Sequence, residues 1–397
     1  MSDRRSVPAV AIVGQAWRTP LGHTVDGVIA RLLAGDRAAC ASPRAAGYAC
    51  SIVAPITDEP ARSRQSRFLR RMGLFGLEVA QEAFLAARLD QDRDRIGLFA
   101  GVGGLRAHWD DMLKALENQA DDGGQSWERG LREVHPYWML RHLSNNVHAL
   151  AAMELGLRGE GATYGGATGG AQAIAAAARA LADGAIDAAL VVAYDSLLEP
   201  ETLVELGARR AATLEPDLAR IVSAYDARAA GFVPGEAAGA VVLVRAGDAP
   251  LAVRVAAVDG ADGEREEPTS AAIARALRAV LREASGPAIV DGAARAWPDR
   301  DADERAMLAE LIDPSTPLIA LSSAFGQVGA ATAVIQTIAL GALLRTGTLP
   351  PIAGLTAAAS GSLVPASTAQ PLPRRTAIGL TTGAPGLYAA IRVETSA

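Results

Sequence analysis

The side chains able to do nucleophilic or acid–base chemistry crowd into one end of this chain. All five histidines (His23, His108, His135, His142, His148) and both cysteines (Cys40, Cys50) lie within the first 148 residues, and Lys114 is the single lysine. A thiolate nucleophile, an imidazole base or an amine can come only from that part. Everything after His148 must do without thiol, imidazole or amine. Two glycine-rich stretches resemble ligand loops at first sight. Gly101-Val102-Gly103-Gly104 follows an apolar strand but lacks the spacing of a dinucleotide fingerprint. Gly165-Gly166-Ala167-Thr168-Gly169-Gly170 lacks the Lys-Ser/Thr ending of a phosphate loop. Both read as tight strand-to-helix turns. No cofactor and no metal site is expected, and the two cysteines read as free thiols of a cytoplasmic protein.

The elements that must position any site alternate between apolar strands and amphipathic helices. Strands are expected at Val10–Val13, Arg95–Ala100, Ala188–Ala193, Ala240–Val244, Ala252–Val258, Ala288–Val290, Leu318–Leu321, Ala377–Thr381 and Tyr388–Val393. Helices are expected at Arg67–Ala87, Asn145–Leu155, Thr168–Ala182, Thr269–Ala284, Asp303–Leu311 and Gly329–Leu344. This alternation predicts an α/β protein with helices covering sheets. It runs through two rounds, so two halves are expected at 1–248 and 249–397, with an insertion at about 105–145. The segments 259–268 and 357–375 read as loops. Half of the 397 residues are hydrophobic, enough for a large core, and aromatics are few. The formal net charge is -6 with no basic block, which argues against nucleic acid as a partner. The apolar stretch Val328–Leu344 is interrupted by Thr332, Gln336, Thr337 and Gly341 and predicts a buried core helix rather than a membrane span. No secretion or transit signal is visible.

Five segments, in order, resemble the β-ketoacyl synthase family. The first is Val10–Gly14 with Thr19-Pro20-Leu21-Gly22 and Leu32–Gly35. The second runs from His135-Pro136-Tyr137-Trp138 through Asn145 to Glu154–Gly159. The third, and the most specific, is Tyr225-Asp226, Arg228 and Gly231-Phe232-Val233-Pro234-Gly235-Glu236-Ala237-Ala238-Gly239. The fourth is Gly326 with Gly329-Ala330-Ala331, Gly347 and Pro350-Pro351, and the fifth is the closing stretch Gly379–Gly386. The resemblance implies a thiolase fold: duplicated α/β halves in five alternating layers, assembled as a dimer. The strand before the nucleophile turn, Gly161–Gly166, would pair with its mate across the two-fold. Thr163, Tyr164, Gly165, Gly166 and Thr168 would lie at that interface.

The same resemblance implies that the family's chemistry is missing. The nucleophile turn matches Gly165–Gly170 and puts Ala167 at the cysteine position. Asp301 and Glu304 match an Asp-x-x-Glu pair, and counting back from them puts Ala293 at the first histidine. Gly326 puts the second histidine at Gln327, and counting back five puts the lysine at Ser322. A methyl group cannot carry a thioester. The gating loop of the family is degraded to about Leu380–Gly383. Ser322, Ser323 and Thr168 offer hydroxyls but no evident base, and His142 and His148 read as packing residues.

Within the family, a chain without a nucleophile resembles the chain length factor of type II polyketide systems. Such a subunit pairs with an active ketosynthase, serves the acyl carrier protein through the complex, and shapes the acyl tunnel. Ala167 departs from the glutamine that many of these factors carry, and the divergent factors of aryl polyene pathways are also similar. The tunnel residues implied are Val134, His135, Tyr137, Trp138, Met139 and His142. Two other readings stay open: a repurposed acyltransferase or cyclase acting as a homodimer, and a protein that binds an acyl chain or carrier protein without turnover.

Overall fold

Runs of Val, Ile, Leu and Ala form eleven strands that join into one mixed sheet. The computed structural model describes residues 8–61, 64–103, 111–113, 115–117, 132–247, 251–259, 261–262, 265–266, 269–281, 286–372, 375–382 and 387–395. The first half contributes β1 (Val10–Arg18), β2 (Ile96–Val102), β3 (Gly161–Gly165), β4 (Ala188–Ser196) and β5 (Glu236–Arg245). The second contributes β6 (Leu251–Asp259), β7 (Ile289–Asp291), β8 (Pro317–Ile319), β9 (Val364–Pro365), β10 (Thr376–Thr382) and β11 (Leu387–Thr395). Their order is β9-β8-β7-β10-β11-β6-β1-β5-β4-β2-β3.

Apart from the two-residue β9, the two halves are wound alike. In each, the third strand lies outermost, followed by the second, fourth, fifth and first. The third, second and fourth strands run parallel, and the fourth, fifth and first antiparallel, in both halves. The halves meet where β1 pairs with β6, Val10 opposite Val253 and Ala11 opposite Ala252. The expected boundary at 248/249 lies outside the described residues, as do 105–110, Lys114 and 118–131 of the expected insertion.

Helices fill the remaining layers: α1 (Val25–Leu33), α2 (Arg71–Ala87), α3 (Trp138–His142), α4 (Asn146–Leu155), α5 (Gly169–Ala182), α6 (Pro200–Ala208), α7 (Thr269–Val280), α8 (Pro298–Leu311), α9 (Leu321–Phe325) and α10 (Thr332–Thr346). α5 and α10 touch each other and pack between the halves, α5 against β2, β4 and β6, and α10 against β5, β10 and β11. α2 covers the outer face of the first half, and α7, backed by α8, that of the second. Five layers result. The middle layer is walled on both sides by sheet, so its helices must be small or apolar all round. α5 is alanine-rich for that reason, and α10, apolar and long enough in its window Gly329–Thr346 to cross a membrane, is 83% buried there.

Several expectations shift at their edges. α8 starts at Pro298 instead of Asp303, proline being favoured in the first turn of a helix. α10 is preceded by a 3₁₀ turn at Gly329–Ala331. The short helices α3 and α6 were not anticipated. The charged segment 259–268, expected as a loop, holds a ladder between Ala261–Asp262 and Arg265–Glu266.

Candidate functional site

β3 ends in a sharp turn into α5. The Gly166 N–H donates to the Val102 carbonyl (2.9 Å), and the Gly169 N–H donates back to Gly166 (2.8 Å). The turn requires φ +93° at Gly166, a conformation open to glycine at little cost. Ala167 follows, half-buried, at the tip of the turn. Thr168, the residue before α5, is 1% exposed, and its hydroxyl accepts from Gln172 Nε2 (3.0 Å). The turn thus carries only a methyl group at its tip.

Ala293, Ser322 and Gln327 come together across the second half. They line one cavity of about 30 Å³ together with Asp291, Gln336 and Thr381. The space suffices for about two water molecules. Ala167 is not among the lining residues. Gln327 Nε2 donates to the carbonyls of Ala293 and Ala294, each at 3.1 Å. Its own backbone is clamped by the Gly231–Gly239 segment: its N–H donates to Val233 (2.8 Å), and its carbonyl accepts from Gly235 N–H (2.8 Å). That segment can approach so closely because a Cβ on Gly235 would stand 2.6 Å from the Phe325 oxygen.

One buried carboxylate lines this cavity, Asp291, and two more, Asp301 and Glu304, lie behind it. Glu304 accepts from the N–H groups of Ala293 (2.8 Å) and Ala294 (3.3 Å) and from the Tyr225 hydroxyl (3.1 Å). Asp301 accepts from the Tyr225 N–H at 3.1 Å. Asp291 accepts from the Leu321 N–H and from Gln336 Nε2, both at 2.8 Å. Burial pushes both Asp291 and Glu304 up to about 7, with the Asp301 charge adding to the rise at Glu304. Loss of solvation likewise raises Asp301. Asp301 and Glu304 entered the sequence reading only as markers for counting. Asp291, a carboxylate closing the apolar strand Ile289–Asp291, was missed, although a charge in such a run signals a buried, partnered group. Among the described residues no group of His, Cys, Asp and Glu could hold a metal ion.

The segment expected to line a tunnel lies largely on the surface. His135, Tyr137 and Met139 are exposed, and Val134, Trp138 and His142 are half-buried. Tyr137 meets Phe68 edge-on, with ring centroids 5.2 Å apart. Among the described residues, β3 forms the outer edge of the sheet and pairs with β2. Gly165 is exposed, and Thr163, Tyr164 and Gly166 are half-buried, whereas Thr168 turns inward. His148 reaches the Thr163 hydroxyl at 3.2 Å, and its burial lowers its pKa. Leu380–Thr382 belong to β10, and residue 383 lies outside the described residues. Both cysteines are unpaired.

A larger cavity of about 310 Å³ opens at the C-terminal ends of β2 and β4, where parallel strands commonly present ligand sites. Arg44, Arg70, Arg71, Arg141 and His142 line it. Its lining residues Arg44, Arg71 and Ser196 are held by Glu236, fully buried, which accepts from Arg44 (2.8 Å), Arg71 (2.7 Å), the Ile56 N–H (3.0 Å) and the Ser196 hydroxyl (3.0 Å). The glutamate of the Gly231–Gly239 segment is therefore a structural anchor, satisfied on both oxygens.

A model of the β-ketoacyl synthase N-terminal domain matches residues 8–249. The tetracenomycin polyketide synthase ketoacyl synthase beta subunit of Streptomyces glaucescens is 28% identical over 312 residues, 73% of each chain. A Streptomyces halstedii polyketide beta-ketoacyl synthase homologue is 30% identical over 195 residues, 47% of this chain and 44% of its own. The chain therefore aligns with less than half the length of that relative. Among solved structures, a β-ketoacyl synthase from Burkholderia phymatum STM815 superposes with a TM-score of 0.84 over 98% of this chain and 100% of its own, at 18% identity. The ishigamide ketosynthase/chain length factor superposes with a TM-score of 0.80 over 99% and 100%, at 19% identity. The five-layered, twice-wound architecture is the thiolase fold of these structures.

Proposed function

The chain belongs to the β-ketoacyl synthase family, and we propose that it serves there as a non-condensing partner subunit, a chain length factor, for an active ketosynthase. One observation carries this reading. Ala293, Ser322 and Gln327 surround a single cavity, Ala167 tips the elbow, and on the register argued above these are the four positions where the family keeps Cys, His, His and Lys. A condensing site needs a thiolate to hold the acyl group and imidazoles to stabilise the enolate. Retained scaffold without those groups suits a subunit whose partner does the chemistry.

Relatives support the role. One relative is named as a ketoacyl synthase beta subunit of a polyketide synthase, and one structural neighbour as a ketosynthase/chain length factor. In this reading the free edge of β3 pairs with the partner, which also covers Tyr137, Trp138 and Met139 and so encloses the acyl tunnel. Trp138 and Tyr137 are the large side chains that would stop the growing chain. The partner is an active ketosynthase in a type II polyketide or aryl polyene system, and the acyl carrier protein docks on the complex.

The test is coexpression with a ketosynthase encoded beside it, followed by native mass spectrometry and product analysis. A one-to-one complex is expected, with product length shifting in Trp138→Ala and Tyr137→Ala. A homodimer alone, or unchanged lengths across well-folded variants, would sink the reading.

A further inference from the structure

Arg44, Arg70, Arg71 and Arg141 line the larger cavity, and the first three are paired with carboxylates of the protein. Arg44 and Arg71 donate to the buried Glu236, and Arg71 is tied further to the Ile56 carbonyl at 2.7 Å. Arg70 forms an ion pair with Asp111. Asp195, a carboxylate of the wall, is 6% exposed and accepts from the N–H groups of Ser196 (2.8 Å) and Ala330 (3.0 Å). These groups hold one another in place and give the cavity walls of fixed shape.

Arg141 differs from the other three. Its Nε donates to the Arg67 carbonyl at 3.0 Å, which steadies the side chain. Its two terminal nitrogens meet no acceptor among the described residues, and the Ser144 hydroxyl, on the turn between α3 and α4, has no partner there either. A planar fork of N–H groups matches the two oxygens of a carboxylate. One unmatched cation suits one negative charge, where a nucleotide would bring more. The volume of about 310 Å³ stands at the lower end of small-molecule sites, which span roughly 300–1,000 Å³. Leu69, Met72 and Val102 give it an apolar wall. A short aliphatic chain ending in a carboxylate matches that division.

We infer that this cavity binds a free short-chain monocarboxylate, with Arg141 as the anchor of its head group and Ser144 as a second donor. No bond is made or broken in the site. It goes beyond the partner role and uses none of the four degenerate positions.

The experiment uses the full chain alone, so its outcome is independent of whether the chain pairs with a ketosynthase. Hexanoate is the probe, titrated calorimetrically at pH 7, with hexanol and hexylamine as controls of equal chain length. Saturable binding of hexanoate is expected with a dissociation constant of about 1 mM or below. Hexanol and hexylamine should bind at least about tenfold more weakly. Arg141→Gln should weaken hexanoate at least about tenfold, and Arg141→Lys, which keeps the charge and loses the fork, by less. Ser144→Phe narrows the exposed rim without touching Arg141 or the core, and should weaken binding similarly; it carries the test if Arg141→Gln fails to fold. Absence of saturable binding, hexanol binding as tightly as hexanoate, or unchanged affinity in the folded variants overturns the proposal.

Discussion

Glu304 is held by three hydrogen bonds and Asp291 by two. Burial raises both to about 7 against ordinary values of 4.5 and 3.8. A carboxyl whose folded pKa lies above its unfolded value contributes stability that is complete at low pH and lost as pH rises through the folded value. Stability should therefore fall between about pH 5 and 7, by up to about 1.4 kcal/mol per pH unit for each group, and flatten above about 7.5. His148, whose pKa burial lowers, opposes this below its ordinary value of 6.5. Urea midpoints measured across pH 5–8 read the slope. Glu304→Gln and Asp291→Asn should each make it shallower, and an unaltered slope in both would show that these carboxyls stay ionised. Tyr225→Phe removes the hydroxyl donor to Glu304 and should cost about 1–2 kcal/mol at pH 7.

At the scale of elements, the elbow depends on close packing between the two halves. A Cβ on Gly170, in the first turn of α5, would stand 2.5 Å from the Ala330 carbonyl oxygen and 3.1 Å from Ala193 Cβ. Alanine is the better helix former by about 1 kcal/mol, but the obstructing oxygen is backbone and cannot swing away. Gly170→Ala should therefore destabilise by about 1–3 kcal/mol, seen as a lower urea midpoint at unchanged slope. A higher midpoint would refute the tight approach of α5 to the Gly329–Ala331 turn. Strands and helices of this kind were legible because periodicity and glycine punctuation are local: β4, β5 and β6 lie within a few residues of their expected bounds. α3, five residues long, left too short a pattern to see. The cavity at the ends of β2 and β4 was invisible for another reason. Arg44 and Arg71 reach Glu236 across 192 and 165 positions, and such pairs leave no periodic trace. The cavity around Ala293, Ser322 and Gln327 was reached by motif counting, while the structural role of its carboxylates escaped because their partners are backbone N–H groups and the distant side chains of Tyr225 and Gln336.

For the whole molecule, the decisive surface lies at the β3 end of the sheet. An edge strand with one unpaired side is a template for strand addition unless something covers it. The chain from 137 to 155 exposes Tyr137 (38%), Met139 (65%), Leu140 (42%), Leu143 (42%) and Met153 (67%). So many large apolar side chains on one short stretch mark an interaction face rather than ordinary surface. Lysines at Met139 and Met153 would remove apolar contact and bring two desolvated charges into any interface, yet neither side chain supports the fold. If the proposed ketosynthase partner binds this face, the double variant Met139→Lys/Met153→Lys should keep its melting temperature while its dissociation constant from that partner rises at least about tenfold, equivalent to roughly 1.4 kcal/mol. Sedimentation of the mixed subunits over a concentration series measures it. Unchanged affinity in a normally folded double variant would remove this face from the interface. The tunnel would then have to close without the partner's cover over Tyr137, Trp138 and Met139, and the length-setting role of those three side chains would fall with it.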